Sequence, residues 1–263
     1  MEKNTSSSSA AHVLIIPFPA QGHVIPMLSL AKLLSFSGIF TTFVNTESIH
    51  RRLSGSSGLI DRRRLRFRTV PDLLSDDGDN ERDFDLPSRF FNLQESMRRG
   101  STETYKKLLT EEFIGEWPPV TCVISDDILD FAIEVAGEVG IPTLVFRTSS
   151  LCCAWVFAFI QSLIHNGIIP FPEECDMDEI VKGVEGMEGI LRRRDLPSFM
   201  RMVKSTEDNY IKLMNGFNSN LISSKAIIFN SFDALDPTHY SHYELLLPSY
   251  FYYRSSSSTH QIL

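Results

Sequence analysis

Residues 12–18 read HVLIIPF, an almost unbroken apolar run. A strand with one solvated face alternates polar and apolar residues, so a run apolar throughout is buried on both faces and belongs at the centre of a parallel sheet. Residues 120–125 (VTCVIS) repeat the signature, and shorter strands are expected at 41–44, 65–70, 143–146 and 226–229 (AIIF). Between them lie stretches with helical spacing at 25–36, 90–109, 128–139, 151–164 and 204–221. Pro26 suits a first helical turn, Gly38 a helix end, and Thr46 or Ser48 the cap of a brief helix. Parallel strands cannot be joined by hairpins, so alternating strands and helices predict right-handed β-α-β crossovers. The expected class is therefore α/β: a Rossmann-like open parallel sheet with flanking helices.

In such sheets ligands bind beyond the carboxyl ends of the strands. That directs attention to the loops after Phe18, Ser125 and Phe146. The first reads PAQGHVIP, where Gly22 lets backbone approach a ligand and His23 stands just ahead of a helix N-terminus. The second begins with Asp126 and Asp127, the third with Arg147, Thr148, Ser149 and Ser150. An imidazole can take a proton from a hydroxyl, and a carboxylate on its far nitrogen fixes the tautomer, so His23 with Asp126 forms a candidate base dyad. The positive end of the helix near Pro26 favours neutral His23 and attracts a phosphate. Plainer readings stand beside these. A loop histidine is often an ordinary polar residue, Asp126 could cap the helix from Ile128, and Thr148 or Ser150 could cap the one from Leu151.

Several function classes are disfavoured. The formal net charge of −8 over 263 residues argues against nucleic acid, which is held through clustered Lys and Arg. Two arginine runs, within residues 62–68 and at Arg192 to Arg194, oppose that average; a solvated face is the plain reading and anion capture the alternative. The longest apolar run, residues 151–160, falls short of the ~20 residues that span a bilayer. No secretory signal opens the chain, which points to the cytoplasm. Cys122, Cys152, Cys153 and Cys175 lack metal-site spacing, so reduced, buried thiols and no metal are expected. Neither GxGxxG nor GxxxxGK[ST] follows the first strand, which weakens a dinucleotide-binding oxidoreductase or P-loop reading.

The segment PFPAQGHVIPMLSLAKLL, residues 17–34, resembles the opening of plant family 1 UDP-glycosyltransferases. Further matches follow in order at 123–150, at 186–199 (GMEGILRRRDLPSF) and at 226–236 (AIIFNSFDALD), and the middle block is similar to iridoid glucosyltransferases of the 7-deoxyloganetic acid type. The resemblance implies a GT-B fold of two facing Rossmann-like domains, the first holding the acceptor. It makes His23 the general base and Asp126 its orienting carboxylate, brings Gly22 near the donor diphosphate and Thr148 to the donor sugar, and implies inversion at the anomeric carbon. UDP-sugar is then a co-substrate, and no cofactor or metal is implied. This chain carries Arg147 where the family usually has Trp, and Ile25 where it often has Asn.

The family runs to nearly twice this length and carries an HCGWNS signature that is absent here. Residues 1–11 are expected to be a disordered Ser-rich tail, 12–236 the N-terminal acceptor-binding domain, and 237–263 an aberrant, poorly ordered tail without helix or strand pattern. Back-translation of residues 247–257 one nucleotide out of frame is compatible with the family's linker, so a frameshift is one explanation. The expected function is transfer of a sugar, glucose foremost, to a hydroxyl or carboxyl of a small hydrophobic plant metabolite. A terpenoid, iridoid or phenolic acceptor would meet Phe18, Phe90, Phe91, Leu151 and Trp155, although such residues also serve as core; Arg192 to Arg194 could meet an acceptor carboxylate. UDP-sugar would bind only with a C-terminal domain supplied, leaving this chain inactive alone; the alternative is a non-catalytic acceptor-binding or decoy module.

Overall fold

The computed structural model describes residues 10–55, 63–71, 86–110, 117–231 and 250–252. The expectations for the two tails therefore lie mostly outside the described residues. Among the described residues the strands are β1 (His12–Ile16), β2 (Phe40–Thr46), β3 (Leu65–Val70), β4 (Cys122–Asp126), β5 (Thr143–Arg147), β6 (Ala226–Phe229) and β7 (Tyr250–Tyr252). The helices are α1 (Gln21–Phe36), α2 (Glu47–Gly55), α3 (Leu86–Thr110), α4 (Asp130–Glu138), α5 (Leu151–Ala158), α6 (Ile160–His165), α7 (Ser198–Arg201) and α8 (Asn209–Ser223). The hydrogen-bonded strand order is β3-β2-β1-β4-β5-β6-β7. This is the expected open sheet, and the strands pair in parallel wherever their register is defined.

Two compact units divide the chain: Met1–Leu73 with Met97–Leu144, and Leu74–Ser96 with Val145–Leu263. In the first, β1 pairs in parallel with β2 on one side (Leu14↔Thr42) and with β4 on the other (Leu14↔Val123). Leu14, Ile15 and Ile16 are fully buried, as the double-sided apolar run required. Burial of each such side chain contributes about 1.5–3 kcal/mol. Met27 and Ala31 on α1, with Phe131 and Ala132 on α4, are buried as well. In the second unit β6 is buried along its length and pairs in parallel with β7. Leu151, Trp155, Ile160 and Leu163 bury the α5 and α6 faces.

The structure moves several boundaries. Helix α1 begins at Gln21, four residues before the sequence reading, because the backbone N–H groups of His23 and Val24 both reach the carbonyl of Ala20 at 2.9 Å. Pro26 therefore sits in the second turn; its missing N–H forfeits one bond to the carbonyl of Gly22, and the helix continues through it. Helix α4 begins at Asp130, since Ile128 and Leu129 are drawn into a turn around Asp126. The expected 151–164 helix breaks at Phe159, and the last starts at Asn209, where the Asp208 side chain accepts the N–H of Tyr210 at 3.0 Å.

Arg66 departs from a solvated face altogether. It is 6% exposed, lies over the Trp117 ring at 4.1 Å and donates from Nε to Thr42 Oγ1 at 2.8 Å, so its charge is spent inside the unit. No disulfide joins the four cysteines, which are half-buried rather than buried. Strand β7 lies in the stretch read as patternless; a parallel strand is built from backbone hydrogen bonds, which side-chain patterning does not report.

Candidate active site

The switch point of the first unit lies between β1 and β4. From β1 the chain leaves toward β2 and β3, while β4 lies on the opposite side, so the connections after β1 and β4 part and open a crevice at their carboxyl ends. His23 follows β1 and Asp126 ends β4. They meet: His23 Nδ1 lies 2.9 Å from Asp126 Oδ2. Asp126 is fully buried and the His23 side chain is 17% exposed.

A buried carboxylate needs partners for both oxygens. Here Oδ2 takes the imidazole and Oδ1 accepts the backbone N–H of Ile128 at 3.2 Å. Asp126 thus closes a side-chain turn onto the residue two positions on; it does not cap α4, whose first flanking residue is Leu129. An ionised carboxylate only accepts, so the proton of neutral His23 resides on Nδ1 and the lone pair on Nε2. That is the tautomer a base requires.

His23 is the third residue of α1 rather than a residue ahead of it. No acidic side chain occupies this first turn, so the positive helix end is not neutralised within it. Gly22 beside it is exposed, and a Cβ placed there would meet nothing within 4 Å. Nothing in the protein's own packing demands glycine at this position. Phe18, 1% exposed, sets its ring against the imidazole at 5.4 Å between centroids and 66° between planes.

The remaining sequence-derived residues belong to the second unit. Thr148 is half-buried after β5, and its carbonyl accepts Asn230 Nδ2 at 3.4 Å. Ser150 caps α5 by accepting the N–H of Cys153 at 3.3 Å, the plainer of its two readings. Arg147 is buried, donates from Nε to Ser149 Oγ at 2.9 Å and lies over the Phe157 and Phe217 rings. Leu151 and Trp155 are buried, and Trp155 Nε1 donates to the carbonyl of Glu185 at 2.7 Å. Phe90 and Phe91 are half-exposed, Phe90 packing edge-on against Phe199.

The second arginine run is occupied by its neighbours. Arg192 pairs with Asp195 at 3.0 Å, Arg193 with Glu179 at 2.8 Å, and Arg194 with Asp178. This favours the plain reading over anion capture.

Sequence reasoning missed the Ile128 N–H and the contact of Phe18 with His23. The first was legible as an Asp two residues before a turn N–H; the second had no sequence signal beyond proximity. Among the described residues no group of three or more His, Cys, Asp and Glu is placed to hold a metal ion, and no described helix is long and apolar enough to cross a membrane.

Comparison with known proteins adds to this geometry. No protein-family model matches the chain. It is 38% identical over 238 residues to a myricetin 3-O-rhamnoside 1,2-glucosyltransferase of Crocosmia x crocosmiiflora, covering 90% of the chain and 49% of that protein. It is 36% identical to a 7-deoxyloganetin glucosyltransferase of Catharanthus roseus, covering 92% and 50%, and 35% identical to a 7-deoxyloganetic acid glucosyltransferase of the same plant, covering 86% and 47%. The chain spans about half the length of the curated relatives it matches.

Among solved structures it resembles a Polygonum tinctorium UDP-glucosyltransferase (TM-score 0.68, 19% identity, 95% of this chain and 53% of that one). A Medicago truncatula enzyme complexed with UDP-glucose gives a TM-score of 0.62 at 20% identity, covering 92% and 51%. At such identities the likeness is one of fold, that of half a GT-B glycosyltransferase.

Proposed function

With about nine tenths of the chain matching the N-terminal half of plant UDP-glucosyltransferases, we propose that these residues supply the acceptor side and the general base of a UDP-sugar-dependent glycosyltransferase. The observation that carries the proposal is the His23–Asp126 pair at 2.9 Å across the switch point. In the proposed step His23 Nε2 takes the proton of an acceptor hydroxyl. The acceptor oxygen forms a bond to the anomeric carbon of the sugar, and the bond from that carbon to the diphosphate oxygen breaks. UDP leaves with the electron pair, and the carbon inverts. Asp126 holds the imidazole and stabilises the imidazolium. The first turn of α1, with Gly22 allowing close approach, suits the diphosphate, where backbone donors stabilise developing charge. Thr148 is the proposed contact to the sugar, with glucose as the sugar the relatives' names support.

The acceptor is a small hydrophobic plant metabolite, a terpenoid, iridoid or phenolic. Of the residues proposed to meet it, Phe90 and Phe91 have surface to offer, while Phe18, Leu151 and Trp155 are nearly or fully buried. A cytoplasmic setting belongs to the same proposal. Calorimetry on the 263-residue chain with a panel of such alcohols tests the acceptor side: binding supports it, and no binding removes the assignment. Turnover of UDP-glucose by a chimera in which residues 12–236 replace the matching half of an active relative tests the base. Turnover supports the enzyme, and acceptor binding without turnover supports a second reading, a non-catalytic acceptor-binding module.

A further inference from the structure

We propose that Phe18 is a positioning residue that fixes the plane of the His23 imidazole and so aims Nε2; this rests on the reading of His23 as the base. The side-chain bond holds the ring at Cγ and the hydrogen bond to Asp126 holds it at Nδ1, yet the ring can still rock about the line joining those two atoms. Rocking about that edge swings Nε2, the ring atom opposite it, through the largest arc. A rigid neighbour packed against the ring restricts this freedom, and Phe18 provides one in an edge-on contact, 5.4 Å between centroids and 66° between planes.

Phe18 is itself held by its surroundings in sequence. Pro17 and Pro19 bracket it, each with a fixed φ, and a residue before proline is driven to extended backbone, which constrains both Ile16 and Phe18. The N–H of Ala20 donates to the Phe18 carbonyl at 2.8 Å and tightens the turn around Pro19. The side chain is 1% exposed, so its ring is packed and has little surface to offer a ligand. The PFP segment is thus a stiff arm running from the end of β1 to the base. A misplacement of about 1 Å at a reacting atom can cost on the order of 100-fold in rate, so loss of the arm reaches the chemistry without touching the substrate.

The test has two arms. In the 263-residue chain, carbon relaxation of the His23 ring is measured by NMR for wild type, Phe18→Leu and Phe18→Tyr. The leucine variant is expected to loosen the ring and the tyrosine variant to keep it ordered; an equally ordered ring in all three overturns the proposal. Phe18→Met replaces the leucine variant if that protein fails to fold. In a chimera carrying residues 12–236 in place of the matching half of an active relative, Phe18→Leu is expected to lower kcat by about 10-fold or more with little change in acceptor KM. A rise in KM alone would assign Phe18 to the acceptor wall instead. Should His23→Ala leave turnover intact, the base reading fails, while the relaxation data still decide what Phe18 does to the ring.

Discussion

At His23 the proton resides on Nδ1 because a carboxylate can only accept, and Asp126→Asn reverses that assignment. The new amide would donate to Nδ1 and move the proton to Nε2, leaving no base facing a hydroxyl. The expected result is a fall in kcat of about 10²–10⁴ in the chimera, with acceptor affinity retained; an unchanged kcat would show that the carboxylate does not set the tautomer. Gly22 offers a test in which stability and function part. It lies within the first turn of α1, outside the set of glycines with positive φ, and a Cβ there is unopposed. Gly22→Ala should stabilise the fold by roughly 0.5–1 kcal/mol in urea unfolding, since glycine is the poorer helix residue. If backbone at this position approaches a diphosphate, the same change weakens UDP-sugar binding; unchanged binding would remove Gly22 from the donor site.

At the scale of elements, the clearest prediction concerns His12 at the start of β1, a histidine the proposed chemistry does not use. Its Nδ1–H donates to the Pro118 carbonyl at 2.7 Å, and its Nε2 accepts from the Thr42 hydroxyl at 2.8 Å, which in turn accepts from Arg66 Nε. Burial, partly offset by the bond to Pro118 and reinforced by the Arg66 charge, lowers its pKa from 6.5 to about 4. The unfolded chain therefore takes up this proton before the folded one does. The stabilisation is fully present above about pH 6.5 and is lost as pH falls toward 4, on the order of 3 kcal/mol across the window. Urea unfolding at neutral and acid pH should show a drop that His12→Gln flattens; equal pH dependence in both proteins would contradict it. Gly38, at φ +90 after α1, is a second case: Gly38→Ala should cost about 1–2 kcal/mol through backbone strain, because the nearest atom to an added Cβ is an ordinary 3.8 Å away.

Strands were the most legible elements, since double-sided burial leaves an apolar run that only a central position explains. Helix starts were less so. Pro26 imitated a first-turn proline, and what moved the boundary was the Ala20 carbonyl taking two N–H groups, an event with no side-chain signature. Arg66 misled for a related reason: its residue type advertises solvent, whereas an indole ring and a threonine hydroxyl meet it inside. The His23–Asp126 pair could be anticipated from topology, because the chain after β1 and the end of the adjacent parallel strand β4 lie at the same edge of the sheet. The support that Phe18 gives the imidazole could not, since a ring contact depends on side-chain directions in a turn.

Over the whole molecule, the described residues hold one side of a proposed reaction. The strand order places the dyad where open α/β sheets bind ligands, and the relatives share about nine tenths of this chain while extending to about twice its length. The proposed chemistry therefore stands or falls on whether His23 removes a proton from an acceptor. The most direct measurement is turnover of UDP-glucose with a small hydrophobic alcohol by the chimera carrying residues 12–236, as wild type and as His23→Ala. A loss of about 100-fold or more in kcat, with acceptor binding preserved by calorimetry, is the predicted result. A variant that transfers glucose at a rate within about threefold of wild type would contradict it, since general-base catalysis contributes about 10²-fold or more.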